Sequence, residues 1–196
     1  MFTGIVTSVG KITKASPRDG GLRLVIDAGM LDLSDVGVGD SIAVNGVCLT
    51  AIALHGDRFE VDVSQETINC TVGLDGPNDV NLEKSLRLSD RLGGHLMSGH
   101  VDGVGEVTRF ESVGESFLLE IRAPQDLAKY IARKGSVTVN GVSLTVNRVD
   151  GAEFEINLIP HTLSVTNLKH FKPGTRVNLE VDLIARYIER LQHYGA

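Results

Sequence analysis

The sequence predicts an all-β protein made of two tandem copies of one barrel domain, followed by a short C-terminal α-helix. Three observations support this prediction: an internal repeat that spans most of the chain, short alternating apolar segments separated by turn residues, and one stretch of helical periodicity at the end. The 196 residues could form one large all-β domain or two small ones, so length alone does not decide the number of domains.

The internal repeat decides that question. Residues 41–50 read Ser-Ile-Ala-Val-Asn-Gly-Val-Cys-Leu-Thr, and residues 136–145 read Ser-Val-Thr-Val-Asn-Gly-Val-Ser-Leu-Thr, so seven of ten positions are identical. The offset between them is 136 − 41 = 95 residues, and the same offset relates other positions along both halves. Only two copies are present and the period is long, which favours a duplicated domain over a solenoid of small repeats.

The end of each copy shows a small insertion. Residues 80–83 match residues 177–180 at an offset of 97, so the second copy has gained two residues, most simply near residues 168–170. Loops tolerate such insertions. We therefore predict three segments: 1–90 for the first domain, 91–183 for the second domain and 184–196 for the helix.

Each copy has the pattern of short antiparallel strands. Asn45-Gly46 and Asn140-Gly141 lie between apolar β-forming residues, which is typical of a type I′ hairpin turn because both central residues need positive φ. Alternating apolar residues follow in each copy, at Phe59, Val61 and Val63 and at Phe154, Ile156 and Leu158. Several short strands in fewer than 100 residues favour a closed barrel, which leaves no exposed sheet edge, although a β-sandwich fits the same pattern.

The last segment changes period. Ile184, Tyr187, Ile188 and Leu191 have helical spacing, and residues 183–194 contain neither Gly nor Pro. This amphipathic helix could pack on its own barrel or could associate with other copies of the chain.

Composition excludes several classes of partner. A net charge of -6 argues against nucleic acid, because nucleic-acid-binding proteins usually carry a basic face. No apolar run reaches the length of a membrane-spanning helix, and the start of the sequence lacks the features of a signal peptide. We therefore expect no membrane partner, a cytoplasmic location and reduced thiols at Cys48 and Cys70.

The segment that joins the two copies, residues 93–102, contains two histidines. His95 and His100 are five residues apart, and no CxxC, HxxxH or HExxH spacing accompanies them, so we predict no metal site. A structural role for His95, bonding backbone at the junction, fits as well as a chemical role.

The repeat also shows where the copies differ. Polar or reactive residues replace their counterparts at four aligned pairs: Ile5 and His100, Cys48 and Ser143, Asp62 and Asn157, and Gly39 and Lys134. A duplicated framework with different reactive side chains predicts two pockets that bind similar ligands and perform different tasks.

Three sequence motifs together resemble the riboflavin synthase family of lumazine-binding proteins. They are Met1-Phe2-Thr3-Gly4-Ile5-Val6, the paired Asn-Gly-Val-Cys/Ser-Leu-Thr segments, and Gly93-Gly94-His95-Leu96-Met97-Ser98-Gly99-His100-Val101. The resemblance covers essentially the whole chain. It implies two six-stranded Greek-key barrels, and a homotrimer driven by the C-terminal helix with active sites between subunits.

The resemblance also implies a reaction. In this family one molecule of 6,7-dimethyl-8-ribityllumazine donates a four-carbon unit to a second, giving riboflavin and 5-amino-6-(D-ribitylamino)uracil without any cofactor. A further partner that the resemblance suggests is lumazine synthase. The alternative is a non-catalytic lumazine- or flavin-binding antenna protein with the same fold, which needs one working pocket.

The family pattern can be carried over position by position. Implied substrate-binding residues in the first copy are Gly4, Ile5, Val6, Cys48, Leu49, Thr50, Asp62, Val63, Ser64, Gln65, Glu66 and Thr67. In the second copy they are Gly99, His100, Val101, Lys134, Ser143, Leu144, Thr145, Ile159, Pro160, His161, Thr162, Leu163 and Ser164. Implied catalytic residues are Phe2, Ser41, Cys48, His95, His100 and Asp182.

Roles for four of these residues are hypotheses. His100 would transfer a proton at the substrate's 7-methyl group, because imidazole titrates near neutral pH. Cys48 and Ser41 would orient or activate the nucleophile that adds to the donor ring. The ring of Phe2 would pack against a flat heterocycle.

Overall fold

A computed structural model describes residues 1–194 of the chain, with the side chain of Tyr194 excepted. It contains two closed, antiparallel, six-stranded barrels followed by one α-helix, which confirms the predicted fold class and rules out the sandwich. Gly195 and Ala196, the end of the predicted helical segment, lie outside the described residues.

The first barrel has a Greek-key order. Its strands pair in the order β1-β2-β5-β4-β3-β6, and β6 closes the barrel against β1. Strands β3, β4 and β5 are joined by hairpins, and β6 returns to lie beside β3, which is the Greek-key arrangement. The elements are β1 (Ser8–Arg18), β2 (Gly21–Asp27), β3 (Ser41–Val44), β4 (Val47–His55), β5 (Arg58–Ser64), α1 (Gln65–Cys70) and β6 (Asn78–Lys84).

The second barrel repeats this order as β7-β8-β11-β10-β9-β12. The predicted insertion falls in its last connection, where a short 3-10 helix, Asn167–His170, precedes the closing strand. The other elements are β7 (Gly103–Val113), β8 (Ser116–Arg122), a 3-10 turn (Ala128–Tyr130), β9 (Ser136–Val139), β10 (Val142–Asp150), β11 (Glu153–Leu158), α2 (Pro160–Val165) and β12 (Arg176–Val181).

The two Asn-Gly turns explain how β3 joins β4 and β9 joins β10. Asn45 and Asn140 have φ of 48° and 45°, and the glycines that follow have φ of 82° and 81°. These are the positive values that a two-residue hairpin turn requires. The turn prediction is therefore confirmed in both barrels.

Alternation along the strands builds two separate cores. Phe59, Val61 and Val63 of β5 are buried inside the first barrel, while Asp62 between them faces outward. Phe154, Ile156 and Leu158 of β11 are buried in the second. The polar outer faces are therefore available for binding, because the interiors are filled by apolar side chains.

A local twofold axis relates the two barrels. Phe2 and Met97, which are equivalent under the 95-residue offset, form an antiparallel bridge with N–H···O distances of 2.9 and 3.0 Å. The equivalent glycines Gly46 and Gly141 also touch each other, so closely that a Cβ on either would lie 2.8 Å from the other's nitrogen. Contacts between equivalent residues place the axis between them.

Asparagine side chains hold the barrels together along this axis. Asn81 Nδ2 donates to the carbonyl of Asn140 at 2.9 Å, and Asn178 Nδ2 donates to the carbonyl of Asn45 at 3.2 Å. All four residues are buried. Polar contacts therefore form part of this interface beside the buried pair of Phe2 and Met97. Each of these hydrogen bonds satisfies a group that burial would otherwise penalise.

The C-terminal helix α3 (Leu183–Tyr194) packs through its polar side. Arg186 pairs with Asp102, whose side chain is buried, and Glu189 pairs with Lys129 and Tyr130 of the second barrel. The predicted apolar stripe points the other way and is exposed at Ile184, Tyr187, Ile188 and Leu191. The helix therefore contacts its own barrel, as one of the two interpretations expects, but it does so through polar side chains and leaves the apolar stripe free for the other.

Across residues 1–194, every helix is too short or too polar to cross a membrane.

Candidate functional site

The first candidate site lies on the outer face of the first barrel. Cys48 and Thr50 alternate with buried residues along β4, so both point outward. Thr50 pairs with Ser41 of β3. On the other side β4 pairs with β5 through Ala51 and Val61, which makes Asp62 the neighbour of Thr50. The outward-facing members of the sequence-predicted residues 48–50 and 62–67 therefore form one continuous surface with Ser41 at its margin. Leu49 and Val63 do not join it, because their side chains are buried in the core of the first barrel.

The start of α1 completes this surface. Ser64 caps the helix, its Oγ accepting from Thr67 N–H at 3.1 Å, and Asp62 forms a two-bond ion pair with Arg23 at 2.8 Å. The Arg23 guanidinium lowers the pKa of the Asp62 carboxyl. Hydroxyl, amide and carboxylate groups gathered on an exposed face suit a ligand rich in hydroxyl groups.

A segment from the second half of the chain borders this first site. The carbonyl of Gly99 accepts a hydrogen bond from the backbone N–H of Cys48 at 2.8 Å. Gly99 has φ of +80°, and an added Cβ would lie 2.7 Å from Cys48 Cβ, so the position requires glycine. His100 and Val101 follow directly. The His100 side chain is exposed, and Val101 packs against the core of the first barrel.

The second site repeats the arrangement with the halves exchanged. The carbonyl of Gly4 accepts from Ser143 N–H at 2.9 Å, and Gly4 has φ of +75° with a similarly crowded Cβ position. Ser143, Thr145 and the exposed residues of 159–164 lie on the outer face of the second barrel, with Ile5 and Val6 beside them, whereas Leu144 and Leu163 are buried in its core. Each barrel's site is thus completed by a segment that precedes the other barrel.

Lys134 adds a cation to the second site. Lys134 has φ of 65° and its counterpart Gly39 has φ of 100°. Both copies therefore have a positive backbone φ at this position. The Lys134 ammonium donates to Asn147 Oδ1 at 3.2 Å. The first barrel has no side chain at the equivalent glycine.

Two buried carboxylates hold the crossing segments. Glu83 Oε1 accepts from Thr3 N–H and Oγ–H at 2.7 and 2.6 Å, and its Oε2 accepts from Gly4 N–H at 2.9 Å. Glu180 makes the same three contacts to Ser98 and Gly99, at 2.7, 2.7 and 3.0 Å. Burial raises the pKa of both glutamates, and the three donors on each partly offset this effect.

His95 forms a polar cluster at the second site. Its Nδ1 is 2.7 Å from Ser143 Oγ and its Nε2 is 3.4 Å from Thr138 Oγ1. Burial lowers the pKa of His95, and the negative charge of Asp182 offsets part of that shift. A neutral imidazole in this position fixes the direction of the Ser143 hydroxyl. The ring of His95 thus contacts two hydroxyl groups, while its backbone N–H donates to the carbonyl of Thr3 at 3.2 Å.

The equivalent place at the first site is apolar. Cys48 replaces Ser143, Ala43 replaces Thr138, and Phe2 packs with them and with Met97 in a small buried cluster. Phe2 is fully buried, so its ring has no face open to a ligand in this structure. The hypothesis that this ring packs against a heterocycle therefore does not fit the structure, and Phe2 supports Cys48 and Gly99 from below.

The remaining predicted catalytic residues, Ser41, His100 and Asp182, do not lie together. Ser41 opens onto a cavity of about 750 Å³ that Ile5 also lines. His100 lines the corresponding cavity of about 380 Å³ near Arg186. Asp182 lies beside His95 and caps α3, its Oδ1 accepting from Ile184 N–H at 3.0 Å. The structure thus places Ser41 with the first barrel and Asp182 with the second.

Sequence reasoning missed the two glutamates and Thr138. Glu83 and Glu180 could have been found, because both copies keep a carboxylate in a strand of mostly buried residues. Thr138 carried no such signal, since an alanine occupies the equivalent position. Within residues 1–194, no group of three or more His, Cys, Asp or Glu side chains could hold a metal ion.

Comparison with known families agrees with this duplicated geometry. A model of the lumazine-binding domain matches the chain twice, over residues 3–85 and residues 98–182. The fold and the paired sites therefore define a protein with two lumazine-binding domains.

Relatives identify the family. Riboflavin synthase of Photobacterium phosphoreum is 46% identical over 197 residues, which cover 97% of this chain and 88% of that protein. Riboflavin synthase of Mycobacterium bovis is 46% identical over 198 residues, covering 97% of this chain and 98% of that protein. This chain belongs to the riboflavin synthase family.

Solved structures show the same architecture with ligands. LumP complexed with riboflavin superimposes with a TM-score of 0.83 at 32% identity, covering 92% of this chain and 99% of LumP. LumP complexed with 6,7-dimethyl-8-(1'-D-ribityl) lumazine gives a TM-score of 0.81 at 30% identity with the same coverage.

Proposed function

We propose that this chain converts two molecules of 6,7-dimethyl-8-ribityllumazine into riboflavin and 5-amino-6-(D-ribitylamino)uracil by transfer of a four-carbon unit. The observation that carries the proposal is the pair of related sites with different reactive groups. Two equivalent frames suit two identical substrates, and different side chains suit a donor and an acceptor.

The site residues divide this work. His100 stands exposed at the first site, where imidazole can take and return the proton of the substrate's 7-methyl group. Cys48 and Ser41 border the same surface and orient or activate the nucleophile. At the second site neutral His95 holds Ser143 with Asp182 nearby, and Lys134 supplies a positive charge. Holding the two rings in a fixed relative orientation lowers the activation barrier of such a reaction by up to about 7–11 kcal/mol.

A second copy of the chain is needed to bring the two ligands together. Within one chain, the buried side chains of Phe2 and Met97 lie between Cys48 and Ser143. Helix α3 meanwhile leaves Ile184, Tyr187 and Leu191 exposed by 66%, 64% and 71%. We propose that these apolar faces associate in a homotrimer, and that the first barrel of one subunit faces the second barrel of its neighbour.

The decisive experiment is incubation of the purified full-length protein with 6,7-dimethyl-8-ribityllumazine alone. The expected result is one riboflavin for every two substrate molecules consumed. Absorbance and chromatography measure both amounts. Tight binding with the lumazine unchanged would overturn the synthase proposal and favour an antenna protein. Sedimentation of the same sample tests the trimer, and a monomer that turns over substrate would overturn the assembly proposal.

The antenna alternative rests on the structural likeness to LumP. It predicts one working pocket, whereas here both sites keep their crossing segment, their clamping glutamate and their helix at the end of β5 or β11. These shared features favour the enzyme.

The finer aspects of the proposal concern cellular context. A free thiol at Cys48 within the site fits the reducing cytoplasm, which we propose as the location. Docking to lumazine synthase and a boundary between functional units near residue 90, in the exposed linker after β6, stay predictions.

A further inference from the structure

Glu83 and Glu180 are unusual among the charged groups of the chain. Their residues are only 6% and 4% exposed, yet each carboxylate lacks a cationic partner among its three hydrogen-bond donors. A buried carboxylate costs free energy unless donors satisfy it. The duplication has kept this arrangement in both copies, at equivalent strand positions, which points to a shared task.

We propose that Glu83 and Glu180 are positioning residues that act crosswise, each lying in one barrel and holding the segment that completes the ligand site of the other barrel. The inference rests on the proposed function, because it names what sets the geometry of the two lumazine sites.

The contacts trace this path for Glu180. It lies on β12 of the second barrel and binds the backbone N–H groups of Ser98 and Gly99. The Gly99 carbonyl then accepts from Cys48 N–H in the first barrel at 2.8 Å. One residue therefore links β12 to the surface of the other barrel, and His100 follows immediately. Glu180 thus fixes where His100 enters the first site.

Glu83 follows the mirrored path. It lies on β6 of the first barrel and binds Thr3 and Gly4, whose carbonyl accepts from Ser143 N–H in the second barrel at 2.9 Å. The next residue is Ile5, which carries no titratable group. Loss of this clamp should therefore weaken ligand binding more than it slows chemistry, whereas loss of the Glu180 clamp should slow chemistry through His100.

A carboxylate performs this task better than an amide. Three donors converge on two oxygens, and the second oxygen alone accepts from the glycine N–H. In a Glu→Gln variant an NH₂ group replaces one of the two oxygens. It then faces either the glycine N–H or the donors of Ser98 or Thr3. One buried donor is left without an acceptor in each case, which releases the crossing segment.

The test compares Glu180→Gln and Glu83→Gln as matched variants of the full-length protein. Hydrogen–deuterium exchange is followed by mass spectrometry on peptides that contain Cys48 or Ser143. We expect Glu180→Gln to speed amide exchange at Cys48 by about tenfold and to leave Ser143 within about twofold of wild type. Glu83→Gln should show the reverse. Exchange that rises in each variant's own barrel, or equally at both sites, would overturn the crosswise assignment.

Turnover gives a second, separate measurement. We expect Glu180→Gln to lower kcat by about tenfold with little change in KM, and Glu83→Gln to raise KM by a similar factor. A kcat and KM pattern that is the same in both variants would overturn their distinct roles. Crosswise exchange in a protein that never forms riboflavin would support the positioning roles and overturn the synthase proposal.

Gentler variants keep the test valid should either glutamine variant fail to fold. Ser98→Ala and Thr3→Val each remove one hydroxyl donor to a glutamate and leave that glutamate's two backbone contacts. Each also removes the acceptor of one backbone N–H, that of His100 or Ile5, so the two variants are matched. The same crosswise pattern is expected with a smaller increase of about threefold. An increase confined to the variant's own barrel would overturn the proposal.

Discussion

The ligand sites of the two barrels share one backbone frame and differ in the side chains on it. Both have a glycine carbonyl bound to a strand N–H and a glutamate behind it. At the first site Cys48 rests on Phe2 and Ala43, whereas at the second Ser143 is bonded to His95. The difference extends to the cavities beside the crossing segments, which are about 750 Å³ next to Ile5 and about 380 Å³ next to His100.

This comparison separates binding from chemistry. The frame is common to both sites, so it serves what both must do, which is to hold a ring of the same kind. The side chains differ where the reaction needs two tasks, with an exposed imidazole at one site and a neutral, hydrogen-bonded imidazole at the other.

The largest effect is expected at His100, the titratable member of its pair with Ile5. His100→Gln removes the proton-transfer group, so kcat should fall by about 10²- to 10⁴-fold. Lumazine affinity, measured by fluorescence titration, should change little. His55→Gln is the matched control, because His55 is an exposed histidine at the β4–β5 turn. Wild-type turnover in His100→Gln would remove His100 from the chemistry.

The next effect concerns the frame itself. Gly99→Ala places a Cβ 2.7 Å from Cys48 Cβ at a positive φ, so the free energy of unfolding should fall by about 2–4 kcal/mol. Gly20→Ala has a similar φ and open space around it, and should cost only about 1 kcal/mol. Denaturation of both variants at equal concentration gives the comparison. Equal losses would mean that the crossing segment is not tightly seated.

A double-mutant cycle measures the polar difference between the sites. Ser143→Ala combined with His95→Ala should show a coupling free energy of about 0.5–1.5 kcal/mol, the value of one side-chain hydrogen bond. Cys48→Ala combined with His95→Ala should show none, because those side chains belong to different sites. Similar coupling in both cycles would contradict the proposed separation.

The smallest effect is a pH dependence at His95. Burial lowers its pKa in the folded state, so the unfolded chain binds the proton more tightly. Stability from this residue is therefore complete above the unfolded-state pKa of about 6.5 and is lost as pH falls toward the folded-state value. Because the side chain is half-buried, only a small part of the free energy of unfolding should disappear between pH 8 and pH 5.5. The His95→Gln variant should lack this component in denaturation at the two pH values.

The repeat and its turns carried most of the fold prediction. Asn45-Gly46 and Asn140-Gly141 have the turn geometry that their sequence requires, and the barrels follow from short alternating strands. The crossing of the segments could not be predicted, because Gly4 and Gly99 keep the same 95-residue spacing whichever barrel they contact. The burial of Phe2 was missed for a related reason. An aromatic ring in a lumazine-binding sequence suits a ligand or a core equally well.

The asparagine interface has a consequence for synthesis of the chain. Asn178 reaches Asn45 across 133 residues of sequence, and Ser143 reaches Gly4 across a similar span. Such distant contacts form late. The first barrel therefore leaves the ribosome with its docking face exposed to solvent until the second barrel is complete. A docking face lined with amides is well hydrated during that interval. An apolar face of equal area would promote aggregation of nascent chains. The polar groups of this interface therefore protect the partly synthesised protein.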